Sequence, residues 1–147
     1  MASFIYDNAR EKFLNGEFSW ANDDIRVAIL RSIARGPGLQ ADVYVPSEVQ
    51  QLTPPSILDI PVRYIINTAG ILHSKTATRG IAGAAPTIFN EIETGTEIVS
   101  VILYKNVPSG ELSYLIAHID TQLTTGSTGQ VTINWNIVNN KPWIFRI

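Results

Sequence analysis

Apolar residues change their spacing along the chain, from a helical period near the start to a strand period from residue 25 onward. Over residues 5–13 they recur every four positions, which places them on one face of a helix. Ser3 is of a type preferred at a helix N-cap, and Asn15-Gly16 supplies residues that accept the left-handed conformation in which helices commonly end. The pattern therefore predicts a short helix over roughly residues 4–14.

Alternating and continuous apolar runs predict β-strands in the rest of the chain. Thr96 to Tyr104 and Leu112 to Ile119 are apolar on both faces, a pattern typical of strands buried on both sides. The turn signal at residues 107–110 lies between them, so we expect the two strands to form a hairpin. Further strands are predicted over residues 25–30, 42–45, 62–66, 71–75, 86–92, 131–136 and 143–147. Residues 71–75 can alternatively continue the strand at 62–66 past Gly70.

Glycine, proline and asparagine residues separate these strands. Gly36-Pro37-Gly38 ends the first strand and Asn139-Asn140 precedes the last, while prolines make residues 46–61 loop-like around one predicted helical turn at 47–52. Small residues without periodicity at 76–85 predict an extended loop. Short strands with such turns indicate an all-β fold, which we expect to be a single antiparallel β-sandwich or barrel of jelly-roll type with a short N-terminal helix.

Composition and net charge limit the kinds of molecule that this chain is expected to bind. The chain has 147 residues and a net charge of −2, so we expect one domain over residues 1–147. Charged residues make up 16%, against about 25% in an average soluble domain. Such a surface suits permanent contacts with other protein chains, although secreted β-domains share it. Because the sequence has no basic run and no run of about 18 apolar residues, we expect neither a nucleic-acid nor a membrane partner.

The sequence also lacks cysteine, which excludes disulfides and thiolate chemistry. The N-terminus has no basic region followed by an apolar run, so no signal peptide is predicted. These features fit a protein that is made in a cytoplasm.

The histidines carry no pattern of catalysis or metal binding. His118 lies in the middle of a predicted strand, between Ala117 and Ile119, where a hydrogen-bonded structural histidine is expected rather than a metal ligand. His73 stands beside Ser74, but no G-x-S-x-G motif supports a Ser–His nucleophile pair. We therefore predict no enzymatic activity and no catalytic residue.

The acidic, glycine-bearing and tryptophan positions likewise carry no specific binding motif. Glu91 and Glu93 are spaced to point the same way on a strand and to chelate a cation, but calcium takes six to eight oxygens, so a solvated edge is favoured. The glycines of residues 80–86 form no phosphate-binding motif, and no cofactor is predicted. Trp20, Trp135 and Trp143 can stack on sugars if exposed, but core or interface positions are favoured.

Four stretches, in order along the chain, form a recognisable pattern: Ala9 to Leu30, Val99 to Lys105 (VSVILYK), Leu115 to Asp120 (LIAHID), and Gln130 to Asn136 with the terminal IFRI. In the first stretch, alanine, phenylalanine-leucine, glycine, an aromatic residue and an aspartate precede an apolar strand. Together, the four stretches resemble a family of small virion proteins of tailed bacteriophages. The resemblance covers the two ends of the chain and extends poorly over residues 40–95.

This resemblance implies a non-enzymatic structural protein of a virion. The expected role is a decoration or cement protein on the outer surface of the capsid, which binds the major capsid protein and acts as a homotrimer where capsomers meet. Phe13, Phe18 and Trp20 are the candidate interface residues. A tail or head–tail connector subunit is the first alternative, and a carbohydrate-binding β-sandwich is the second.

Overall fold

β-Strands make up most of the regular structure in the computed structural model, which describes residues 4–44, 56–108, 113–138 and 141–146. One helix, α1 (Asp7–Leu14), lies near the start, and short 3₁₀ helices span Ile57–Asp59 and Val62–Tyr64. The strands are β1 (Phe4–Ile5), β2 (Ile25–Arg31), β3 (Ile65–Ile71), β4 (Thr76–Thr78), β5 (Ile81–Gly83), β6 (Thr87–Phe89), β7 (Glu97–Lys105), β8 (Leu115–Thr124), β9 (Val131–Ile133), β10 (Asn136–Val138), β11 (Lys141–Trp143) and β12 (Phe145–Arg146).

The strands form antiparallel sheets around one principal sheet. This five-stranded sheet has the order β1-β8-β7-β2-β3, and the smaller sheets pair β10 with β11, β6 with β9, and β5 with both β12 and β4. All of these pairings are antiparallel. The predicted all-β fold with a short N-terminal helix is thereby confirmed, whereas closure into a jelly-roll sandwich or barrel stays a prediction.

The helix begins later than its apolar spacing predicts. Phe4 and Ile5 instead pair with His118 and Ala117 of β8, and Tyr6 is the residue at the N-cap. The exposed edge of β8 offers backbone partners to this segment, so its N–H and C=O groups are satisfied by the sheet. The predicted N-cap, Ser3, lies outside the described residues.

The helix ends in a Schellman motif at the predicted glycine. Gly16 is left-handed (φ 78°), whereas Asn15 stays right-handed (φ −83°), so the expectation of a left-handed conformation was correct for the glycine alone. The Glu17 N–H donates to the carbonyl of Lys12 over 2.8 Å, and the Gly16 N–H donates to that of Phe13 over 3.3 Å. These bonds satisfy carbonyls that the helix leaves without partners.

The middle of the principal sheet is buried on both faces, as predicted. Val101, Ile102 and Leu103 of β7 are at most 1% exposed, and β7 pairs with β8 as the expected hairpin. The neighbouring strand β2 is equally enclosed from Ile25 to Leu30 except at Arg26. β8 begins at Leu115 and continues to Thr124, beyond its predicted end. These three strands form the hydrophobic centre of the protein.

Two predictions between residues 62 and 85 were wrong. Val62–Tyr64 form a 3₁₀ helix after Pro61, and the strand begins only at Ile65 and runs through Gly70 to Ile71. Residues 76–83 form a hairpin rather than an extended loop. Its two turn residues, Arg79 and Gly80, have φ of 55° and 78°, as in the type I′ turns that connect twisted strands.

The remaining predictions divide between confirmed strands and undescribed segments. β6 and β9 lie within the strands predicted at 86–92 and 131–136. Within 42–45, Asp42 forms a single bridge with Ile33. The predicted helical turn at 47–52 and the turn at Asn139-Asn140 lie outside the described residues.

Gly70 is the point where β3 and β6 come into close contact. A Cβ atom at this position would lie 2.4 Å from Cζ of Phe89 and 3.1 Å from Cβ of Val27. The Phe89 ring is 3% exposed, so it cannot move aside without disturbing the core. The absence of a side chain at Gly70 therefore lets β6 cover the edge of the principal sheet.

We predict that Gly70→Ala destabilises the protein by about 1–3 kcal/mol, the usual cost of overpacking a core. Urea unfolding followed by circular dichroism measures the change. Gly126→Ala is the matched control, because a Cβ at Gly126 meets nothing within 4 Å and its φ is not positive. Phe89→Leu in the Gly70→Ala background should restore part of the loss, and equal stabilities of the two alanine variants would contradict this account of the packing.

Candidate functional site

The three predicted interface residues lie mostly inside the chain. Phe18 and Trp20 are 6% and 7% exposed, and Phe13 is half-buried. Phe13 and Phe18 meet edge to face, with 5.3 Å between ring centroids. The Trp20 Nε1–H donates to the carbonyl of Gly83 over 3.2 Å. The structure thus brings the two phenylalanines together and directs Trp20 toward β5, and their contact with a partner chain stays a prediction.

Charged side chains hold this aromatic group at the end of the helix. The ammonium groups of Lys12 and Lys105 lie 5.9 Å and 5.4 Å from the centroid of Phe18, within the range of cation–π attraction. Lys105 also pairs with Asp23 over 3.3 Å, and Lys12 pairs with Glu17 over 3.5 Å. These contacts fasten α1 to the end of β7, which gives the residues a structural role.

A groove lies beside the edge strand β3. We call it the β3–β6 groove, and its volume is about 270 Å³. Ile71 and Ile88 both line this groove, and they are 40% and 53% exposed. These exposures are high for large aliphatic side chains. The groove is lined by Ala69, Gly70, Ile71, His73, Pro86 and Ile88.

Two of the three residues of β6 face against their polarity, because the polar Thr87 is buried and the apolar Ile88 is exposed. Thr87 and Phe89 are buried, and Ile88 points outward. Because successive strand residues face opposite sides, the Phe89 ring on Gly70 forces Ile88 into solvent. The strand itself was predicted from the sequence, but which of its faces points inward was decided by the contact with Gly70.

The backbone of β3 is poorly suited to receive another strand. A bulge interrupts it, since Val27 pairs with Gly70 but Ile29 pairs with Asn67. The side chain of Asn67 accepts the Ala69 N–H over 2.7 Å, and the Tyr104 hydroxyl donates to the Thr68 carbonyl over 2.6 Å. Bulges and side-chain caps of this kind protect edge strands. A partner at the groove therefore meets side chains rather than an open ladder.

A second depression lies at a bulge in β8. Ile98 pairs with Leu123 and Ser100 with Asp120, so β8 carries one extra residue between these pairs. We call the depression the bulge pocket, and its volume is about 410 Å³. Sequence reasoning missed it, because a bulge depends on the register between two strands. Its polar lining consists of Ser100, His118, Asp120, Thr121 and Gln122.

His118 forms part of this lining and is fully buried, as predicted for a core histidine. Its Nδ1 lies 3.8 Å from Oδ1 of Asp120. Burial lowers the pKa of His118, and the negative charge of Asp120 opposes this shift in part. Tyr44 lines the same pocket. Burial raises the pKa of its hydroxyl, and the negative charge of Asp59 raises this pKa further. The pocket thus favours a neutral imidazole and a protonated phenol.

The other residues that were weighed for chemistry stay apart. His73 is exposed at the groove, and Glu91 and Glu93 are exposed, with Glu91 in a left-handed conformation (φ 59°). Trp135 is buried, as favoured, while the side chain of Trp143 lies outside the description. Within the described ranges, no three His, Asp or Glu side chains group as metal ligands do.

Among the described residues, no helix has the length and apolar character needed to cross a membrane. No protein-family model, curated protein or solved structure matches the chain.

The buried His118 predicts a specific pH dependence of stability. The unfolded chain binds a proton with a pKa of about 6.5, whereas the folded protein disfavours the charged imidazole. The contribution of His118 to the free energy of unfolding is therefore complete above pH 6.5. It is lost as the pH falls from 6.5 toward the lower pKa that His118 has in the folded protein. One proton changes the free energy of unfolding by at most about 1.4 kcal/mol per pH unit.

Urea unfolding of the wild type between pH 8 and pH 5 should show this decline, and His118→Gln should reduce its slope. His73→Gln is the control, since His73 is exposed, and should keep the wild-type slope. Identical slopes in the wild type and His118→Gln would show that His118 does not couple to folding.

Proposed function

We propose that the chain is a non-enzymatic structural protein of a tailed-phage virion, a decoration protein that binds the major capsid protein on the outside of the head and stabilises the shell. The observation that carries the proposal is the β3–β6 groove, where Ile71 and Ile88 are exposed on a chain that is poor in charge. The resemblance of both chain ends to small phage virion proteins supports the same role.

The size of the groove favours a repeated partner. Fully burying an isoleucine is worth about 1.5–3 kcal/mol, and the exposed parts of the two amount to nearly one whole side chain, so covering them contributes roughly 1.5–3 kcal/mol in total. That corresponds to binding weaker than about 1 mM. A single groove cannot hold a protein on a free partner. A homotrimer on a capsid lattice presents several grooves at once, and avidity then raises the overall affinity by orders of magnitude.

The protected edge of β3 suits such a contact. The bulge and the Asn67 cap disfavour strand addition between copies of the chain at this edge. The groove then offers a fixed set of side chains to the lattice. Bridging neighbouring capsid subunits in this way adds contacts that internal pressure must break before the shell opens.

We expect Ile71→Ser combined with Ile88→Ser to weaken binding to heads by at least tenfold, because both apolar contacts are lost in every copy. Co-sedimentation with purified heads that lack the protein measures the affinity. Leu39→Ser is the matched control, since Leu39 is also exposed, at 60%, and lies outside the groove lining. All three residues are exposed, so circular dichroism and thermal unfolding should change little. Unaltered binding of the double variant would rule out the groove as the contact.

Copy number separates this role from that of a tail or head–tail connector subunit. A decoration protein should approach the number of capsid protein copies in each particle, whereas a connector forms a single ring of about a dozen subunits. Densitometry of purified particles, calibrated with the isolated protein, gives the ratio. A few copies per particle would contradict the decoration role while leaving a structural role in the virion.

A further inference from the structure

The bulge pocket has a rigid polar floor at the middle of the principal sheet. Ser100 pairs directly with Asp120, and Ile102 pairs with His118. Because paired residues share a face and alternate residues repeat it, Ser100, His118 and Asp120 project on the same side of the sheet. Ser100 and His118 are 4% and 0% exposed, so the hydroxyl and the imidazole are held in place by the core.

The bulge adds further hydrogen-bonding groups at the rim. The extra residue of β8 disturbs the regular alternation of side chains, an effect by which bulges redirect side chains near functional sites. Thr121 and Gln122 consequently line the same pocket as Asp120. A hydroxyl, an amide and a carboxylate therefore stand at the mouth, above the buried serine and histidine.

An aromatic wall faces these polar groups. Tyr44 lines the pocket together with Val43 and Val99. Its hydroxyl shares a hydrogen bond with Tyr6, and its ring centroid lies 6.0 Å from that of Tyr64. These contacts fix the ring, so the pocket combines an immobile apolar wall with a polar floor and rim.

The charges of the lining select against ionic ligands. Asp120 is the acidic residue among the described lining residues, and neither lysine nor arginine stands with it, so an anion is repelled. One carboxylate is too few for a calcium site, which takes six to eight oxygens, usually from several acids. The imidazole of His118 adds no positive charge near pH 7, because burial keeps it neutral. The lining therefore fits a neutral ligand with many hydroxyl groups.

From this combination we infer that the bulge pocket binds a neutral sugar unit. A pyranose offers hydroxyl groups to Asp120, Thr121 and Gln122 at the rim, while its apolar C–H face lies against Tyr44. The volume of about 410 Å³ is within the range of small-molecule pockets and leaves room for one or two rings. The inference does not depend on binding to the capsid, since the groove and the pocket are lined by different residues.

NMR titration of the ¹⁵N-labelled full chain tests the inference. The probes are the methyl glycosides of glucose, galactose, mannose and N-acetylglucosamine, each added to 50 mM. We expect at least one of them to bind in the millimolar range and to shift the amide signals of Ser100 and of residues 118–122. N-acetylneuraminic acid, which is anionic, should cause no shift at these positions. The absence of any response to all four neutral sugars would overturn the inference.

Two variants locate the binding. Asp120→Asn should raise the dissociation constant at least tenfold, because hydrogen bonds to a charged group are the stronger ones. Thr121→Val removes a rim hydroxyl without changing a charge, and it should also raise the dissociation constant. It replaces Asp120→Asn in the test if that variant does not fold. Glu93→Gln is the control, since Glu93 is exposed and outside the pocket. Wild-type affinity in both folded pocket variants, or binding of calcium chloride or methylammonium in place of the sugars, would overturn the inference.

Discussion

The fold depends on the burial of β2 and β7 on both faces at the centre of the principal sheet. A strand of this kind has its backbone groups paired by its neighbours, but both rows of its side chains require cover. One face is covered by Phe89 and Ile133 from the smaller sheets and by Trp135, which follows β9. The other face meets Tyr44 and Val43. The segments outside the principal sheet are therefore arranged by the need to exclude water from two apolar surfaces.

Both candidate surfaces arise where the regular sheet is interrupted. The β3–β6 groove lies at the bulged edge strand, and the bulge pocket lies where β8 carries an extra residue. Regular pairing elsewhere leaves the side chains closely packed, with few spaces open to a partner. A bulge separates neighbouring side chains and changes their direction without weakening the rest of the ladder. In this fold the ordered centre supplies stability, and its irregularities supply the accessible surface.

The sequence predicted those features that depend on local pattern. The two-sided apolar runs gave the β7–β8 hairpin, and Gly16 marked the end of α1, because both signals act within a few residues. Long-range contacts decided the rest. Phe4–Ile5 joined the free edge of β8, and Arg79-Gly80 formed a tight turn without one of the usual asparagine or aspartate signals.

The candidate sites were less predictable than the fold for the same reason. Phe18 and Trp20 drew attention as aromatic residues after a glycine, but aromatic character favours burial as strongly as it favours contact, and both are buried. Ile88 is exposed because Phe89 must face Gly70, and Asp120 joins His118 and Ser100 through pairing between distant segments. No spacing within a single segment encodes such relations.

The placement of charge connects the fold with its surfaces. Lys12 and Lys105 bind Phe18 and nearby acids at the end of α1, and Asp24 pairs with Arg26 over 3.2 Å. The lysine contacts attach the helix to the end of β7, whereas the Asp24–Arg26 pair is local to the start of β2. The proposed contact through the β3–β6 groove rests on Ile71 and Ile88, and burial of apolar surface is screened little by salt, unlike attraction between exposed charges. An interface of this kind keeps its strength when ionic conditions change, which is what the proposed attachment to a permanent lattice requires.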